Sequence, residues 1–349
     1  MTTTSMNAKN KAIGAAVATL VIVGAALGYW RWSSRDADAS RAELLSLMPA
    51  NGNVVLFLDL SSLRSSPFLA RLFALAPQPA QDSDYSQFLQ ATGFNYERDL
   101  DRVALSIDRQ PQTQTVFALA EGHFDRKKIE SYGAQFGALK TADGRTIFAV
   151  PTDHLAHKVY FTFLRDDRVA WANDSSYFFQ PAAKAGWADW REHFSRVAGT
   201  PVFVILRQDA GTANALAEAP GGLRSPQLAT LLSQLQWISI GGKPEGNLLR
   251  VVADGEAASE NTTHQLKELL SGLVAIAQIG LNDVKLRKQL DPDLRQGYID
   301  LLNAAEIQQL DRGASKSVRV IFDITPKLLE AATHSNTSDG TAGANVHSR

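Results

Sequence analysis

Between Lys11 and Arg31 the chain runs for nineteen residues without a charge: AIGAAVATLVIVGAALGYW. A helix rises about 1.5 Å per residue, so the run spans roughly 28 Å, close to the hydrocarbon thickness of a bilayer. No other feature limits the fold as strongly, because a helix that is apolar all round needs lipid or a protein interior about it. Tyr29, Trp30 and Trp32 gather at one end, where amphipathic rings suit the headgroup layer. A cleaved signal peptide is the rival reading, but its apolar core is shorter and a small-x-small site follows closely. Ala37-Asp38-Ala39 has that form and lies beyond Arg31 and Arg35, well past the apolar run. Length and flanks favour an uncleaved anchor over residues 12–30, and so a membrane partner.

The anchor divides the chain. Residues 1–11 form a short N-terminus and residues 31–47 a charged juxtamembrane stretch. Lys9 and Lys11 precede the anchor, while Arg31, Arg35 and Arg41 follow it. The count of basic residues alone does not favour a cytoplasmic N-terminus. The N-terminal amine narrows the gap, and large domains translocate largely regardless of charge. The expected arrangement is a bacterial inner-membrane protein, single-pass, with residues 1–11 cytoplasmic and the body facing the periplasm or exterior. Gly24 and Gly28 form a GxxxG that would let two anchors approach closely, a weak signal in a segment this rich in Gly and Ala.

Composition narrows the chemistry. Among 349 residues, 35 are basic and 36 acidic, and the net charge is −1. Nucleic-acid binding needs a concentrated positive surface, and neither Arg126-Lys127-Lys128 nor Lys285 to Lys288 supplies one. No nucleic-acid partner is expected. The chain has no cysteine, which removes disulfides, thiolate metal sites, a thiol nucleophile and an N-terminal lipid-bearing cysteine.

The body opens after the breaker Met48-Pro49-Ala50-Asn51-Gly52. Val54 to Leu60 reads as a strand and Pro67 to Ala76 as a helix with proline in its first turn. Strands follow at Arg102 to Ile107 and Thr115 to Ala120, then a helix capped by Asp125. Arg145 to Val150, Lys158 to Phe163 and Arg168 to Ala172 form a three-strand stretch. Strand, helices, hairpin and helix then recur over 201–280, with Gly241 to Gly246 read as a hairpin loop. The run Leu269 to Leu281, LLSGLVAIAQIGL, is uncharged but too short to span a bilayer, and reads as a buried core helix. Leu294 to Leu310 reads as an amphipathic helix and Val318 to Ile324 as a last strand. The fold class is α+β, with mixed or antiparallel sheets and helices on one face. The repeated order suggests two duplicated halves, 48–200 and 201–331, followed by a disordered tail at 332–349.

Candidate chemistry is sparse. Asp59 ends an apolar strand before Ser61 and Ser62, as a hydrolase nucleophile would, but the second acid of a haloacid dehalogenase motif is missing. VRVIFDITP repeats the grammar at Asp323 and Thr325, and repetition suits a strand-to-helix joint capped by a carboxylate. His154 and His157 form HxxH without the acid that metal sites of this kind use. His123 and His193 border helices and read as capping or surface groups. Gly241-Gly242-Lys243 precedes a strand and so does not open a phosphate-binding helix. Trp187, Trp190, Phe194 and Val197 fall at helical spacing and read as core. Asn173, Asn261 and Asn336 head glycosylation sequons that matter only in a secreted eukaryotic protein. No catalytic, cofactor-binding or metal-ligating residue is assigned, and no cofactor is expected.

LMPANGNVVLFLDLSSLRSSPFLARL, FLQATGFNYERDLDRVALSI and FALAEGHFDRKKIESYG together resemble segments of uncharacterised bacterial membrane-anchored proteins, a domain of unknown function. The likeness is clearest over residues 47–137. It implies an envelope location and a single anchor, and carries no activity. The function expected is a non-enzymatic binding or scaffold module whose partner is a protein, a lipid or a cell-wall component. The alternatives are an envelope hydrolase with an unrecognised site and a cytoplasm-facing domain on an inverted anchor. A wide apolar groove would mark the first, and a polar cleft with convergent carboxylates or histidines the hydrolase.

Overall fold

The structure is a computed structural model that describes residues 41–68, 83–110, 113–140, 144–151, 158–179, 187–208, 230–284, 287, 290–313 and 315–331. The expected anchor at 12–30, with Gly24 and Gly28, and the tail at 332–349 lie outside the described residues. Among the described residues no helix is long and apolar enough to cross a membrane. The chain divides into two units, Met1–Leu47 and Met48–Arg349. In the first, residues 41–46 are helical.

The second unit is α+β and holds one antiparallel sheet of twelve strands. These are β1 (Val54–Asp59), β2 (Leu100–Arg109), β3 (Gln114–Gly122), β4 (Ala138–Lys140), β5 (Thr146–Val150), β6 (Val159–Arg165), β7 (Arg168–Ala172), β8 (Val202–Arg207), β9 (Trp237–Glu245), β10 (Leu248–Ala257), β11 (Glu306–Arg312) and β12 (Ser315–Ile324). Helices among the described residues include α1 (Leu60–Arg64), α2 (Ser83–Thr92), α3 (Tyr96–Asp99), α4 (Arg126–Ala134), α5 (Trp187–Arg196), α6 (Glu260–Asn282) and α7 (Pro292–Asn303). Residues 326–331 are helical as well.

Strand order across the sheet is β11-β12-β10-β9-β8-β1-β2-β3-β7-β6-β5-β4. The middle is the antiparallel pair of β1 and β8, where Phe57 lies opposite Phe203 and the rings stack with centroids 5.1 Å apart. Buried Asn53 extends this joint on both sides. Its backbone carbonyl accepts from Arg207 N–H, and its side-chain amide bonds the backbone of Arg109 in both directions. Outward from β1 come β2, β3, β7 and β6; outward from β8 come β9, β10, β12 and β11. Each side is built in the same chain order: strand, helical segment, hairpin, helix, hairpin. The first side adds β5 and β4 at its edge.

Period-two alternation sorts the side chains into two faces. Val55, Phe57 and Asp59 are buried on one, and the opposite face carries Leu58. Helix α6 buries Leu266 against Ile238, Ala257 and Val318. Leu63 and Phe68 pack with Val202, Leu249 and Ile324. Those positions share the second face. Helix α5 lies on the first: Trp190 meets Trp237 edge-on, and Phe194 contacts Phe203. Helices therefore cover both faces, not the single face expected from sequence, because Trp190 and Phe194 need the aromatic positions that alternate with Val202 and Ile238.

Three further expectations change. The two halves form one sheet, and every pair within it is antiparallel. Helix α7 stops at Asn303, and β11 takes over what reads as helix to Leu310. The turn that sends β11 back into β12 is Gly313, with φ +76°, a conformation open mainly to glycine. Gly241-Gly242-Lys243 lies inside β9, and its turn into β10 falls at Gly246, with φ +60°.

Gly133 lets α4 approach the sheet. A Cβ there would stand 2.7 Å from Phe161 Cζ and 2.9 Å from Phe148 Cβ. Gly133→Ala should push α4 away and cost about 1–3 kcal/mol, as overpacking does. Urea unfolding monitored by tryptophan fluorescence reads this, and a midpoint equal to the parent's would contradict the close approach.

Candidate functional site

Asp59 performs the capping role expected of it. Its Oδ1 accepts from Ser62 N–H at 3.0 Å and from the Ser61 hydroxyl at 2.6 Å, and Arg102 Nε lies 3.5 Å from Oδ2. Burial works to raise this carboxyl. The Ser61 and Ser62 hydrogen bonds and the Arg102 charge outweigh it and hold the pKa below its ordinary value. Asp323 does not repeat the joint. β12 continues to Ile324, and Asp323 faces across the sheet to Arg250, bound at 2.9 and 3.0 Å. The cap after β12 falls to Thr325, whose hydroxyl accepts from Leu328 N–H at 3.4 Å. A strand pairs to its end when its neighbour is equally long, and β10 supplies Leu249 opposite Ile324.

Strand register sets the charged groups in a row that the sequence hides. Asp59, Arg102, Glu121, Arg168 and Arg165 are successive cross-strand partners on β1, β2, β3, β7 and β6. Arg168 is 2% exposed and Glu121 6%, with Arg168 Nε donating to Glu121 at 2.9 Å. Arg102 lies 3.4 Å from the same carboxylate. The second half also buries a glutamate at the end of its third strand. Glu256, on β10, is bound by Arg196 of α5. Beside it, Asp254 takes two bonds of 2.9 Å from Arg319 and one of 3.3 Å from Arg312. Each of these carboxylates is bound by guanidinium groups. Charge-assisted bonds of this kind fix strands and α5 in place.

His193 is buried on α5, its ring stacked 3.9 Å from that of Trp237. Arg196 reaches Nδ1 at 3.3 Å, and Glu256 lies 3.8 Å away. Burial first, then the Arg196 charge, depress its pKa below 6.5. The aromatic stripe is core at Trp190 and Val197, which are buried. His123 is at the surface near Asp101. His154, His157 and Asn336 lie outside the described residues. Asn173 bonds the backbone of Val116 and Gln114 through its side chain, and Asn261 is exposed. Among the described residues no group of three His, Asp or Glu side chains is placed to hold a metal ion.

Beside α6 lies an open groove, largely apolar, with Thr230, Gln265 and Glu268 among its polar members. It has a volume of about 720 Å³ and runs between α6 and residues 230–234, walled by Leu231, Leu269, Gly272, Leu273 and Ile276, with Gln234 and His264 towards the start of the helix. The expected core run Leu269 to Leu281 is core only at its start, where Leu269, Leu270 and Leu273 pack against the cluster around Leu266. Ile276 is 68% exposed and Ile279 72%. The sequence signal was present, an uncharged run of bulky residues, but its burial depended on partners that periodicity does not supply.

No family model matches the chain, and no curated protein does. Among solved structures, crystal form III of TP0453 is similar at TM-score 0.43 and 11% identity, covering 83% of this chain and 97% of that one. Crystal form I gives 0.41 and 10% over 84% and 96%, and form IV 0.40 and 10% over 82% and 96%. A likeness this distant carries no statement about function.

Two outcomes follow from the charged groups. Glu121→Leu leaves Arg168 buried without its main partner and should cost about 3–5 kcal/mol, while Glu121→Leu with Arg168→Met should recover most of it. Urea unfolding of both variants checks this; a double variant no better than the single one would contradict it. The second concerns pH. His193 has a depressed folded pKa, so below its unfolded value of about 6.5 the unfolded chain binds more protons and stability falls. The lowered pKa values of Asp59 and Glu256 add a further loss below their ordinary values of 3.8 and 4.5. Thermal midpoints should hold at pH 7–8 and drop as pH falls through about 6, and His193→Phe should flatten that first drop. An identical profile in the variant would remove His193 from the account.

Proposed function

We propose that the chain is a membrane-anchored binding module of the bacterial envelope, tethered by residues 12–30, with its body on the outer side of the inner membrane. The groove along α6 is the observation that carries this reading. Its floor is the half-buried Leu269 and Leu273 beside buried Leu231, and Gly272 and Ile276 stand open to solvent along its rim. Large exposed apolar surface costs solubility and is kept where something binds to it. The buried carboxylates add support, since Asp59, Glu121, Asp254 and Glu256 are engaged by arginines within the sheet. The sequence resemblance over residues 47–137 agrees with an envelope address. The repeated strand, hairpin, helix, hairpin order on either side of the β1 and β8 pair is in keeping with an origin by internal duplication.

The test is the native membrane. The chain should stay in the pellet after alkaline carbonate extraction. Protease added outside spheroplasts should degrade the body. Release by carbonate would sink the anchor, and protection from external protease would sink the orientation.

A further inference from the structure

Helices α4 and α6 occupy matching places, each following the third strand of its half. They begin alike. α4 buries Ile129, Tyr132 and Gly133, and α6 buries Thr262, Thr263 and Leu266. α4 then ends after 9 residues, whereas α6 runs for 23. The first half of the sheet is complete with the short helix, so the added turns of α6 are not required by the sheet.

Those turns have an unusual surface. Residues 269–282 contain no charged side chain. Gln278 ties them to the body, donating to Leu302 O at 3.3 Å and Asn303 Oδ1 at 3.1 Å. Away from that contact, Gly272, Ala275, Ile276 and Ile279 form an exposed stripe at i, i+3, i+4 and i+7. Val284, 65% exposed, lies just beyond it. There the character changes abruptly: the sequence from Asp283 reads DVKLRK, one acid against three bases, and Arg287 is exposed.

We propose that this stripe docks on a bilayer surface carrying anionic phospholipid. An uncharged apolar face followed in sequence by a basic segment is what such a surface selects. The inference rests on the anchored reading. Only residues 31–47 separate the expected anchor from the body, at most about 60 Å of chain, so the bilayer would be within reach at high effective concentration.

The absence of cysteine makes the test clean. Full-length Ile276→Cys and Ile279→Cys chains are labelled with an environment-sensitive dye. They are reconstituted into brominated phosphatidylcholine vesicles, with or without an equal share of phosphatidylglycerol. Gln308→Cys, on the exposed edge strand β11, is the control. Quenching at 276 and 279 should exceed that at 308 several-fold in the anionic vesicles, should weaken in phosphatidylcholine alone, and should fall with Arg287→Glu. Equal quenching at all three positions in anionic vesicles would overturn the proposal. So would crosslinking of 276 between chains without lipid quenching, which would assign the stripe to a second copy. Carbonate extraction of the same vesicles reads the anchor separately: quenching decides the docking whether or not the chain is released.

Discussion

The antiparallel pair of β1 and β8 is what joins the two halves of the second unit into one sheet. Each half would otherwise end in an edge strand with unpaired N–H and C=O groups. Pairing the two edges removes both liabilities and places Phe57 on Phe203 in the middle of the sheet. Asn53 closes the upper end of the joint by bonding strands on either side. The outer edges are then short or charged. β4 has three residues, and β11 presents Glu306, Gln308 and Asp311 outward.

From that joint the charges follow. Register, not proximity in sequence, brings Asp59, Arg102, Glu121 and Arg168 into one row and sets Asp254 opposite Arg319. Buried ion pairs gain little over apolar packing, but breaking one is costly, so they penalise alternative registers strongly. In a sheet of twelve strands, where a slip of one residue would turn each strand inside out, that penalty suits the architecture.

Much of the fold was legible. Val54 to Asp59, Arg168 to Ala172 and the strands around them announce themselves by apolar alternation, and Asp125 and Asp59 by their capping positions. The failures share a cause. EIQQLDR continues a helical spacing at Leu310, and only the turn at Gly313 and the partner β12 make it a strand. Asp323 copies the local grammar of Asp59, yet a neighbour of equal length keeps it in the ladder. LLSGLVAIAQIGL reads as core throughout because apolar runs usually are, and only Leu269, Leu270 and Leu273 pack there. Whether a helix is covered depends on what stands beside it, and α6 outruns the sheet that covers its first turns. The arginine partners of Glu121 and Glu256 were invisible for the same reason: they sit 47 and 60 residues away.

The central claim is that the end of α6 is surface kept for binding rather than core. Equilibrium urea unfolding of Ile276→Ser with Ile279→Ser tests it most directly. If both side chains stand in solvent, stability should match the parent within about 0.5 kcal/mol. A loss of about 2 kcal/mol or more per site, the cost of removing packed aliphatic groups, would contradict the account.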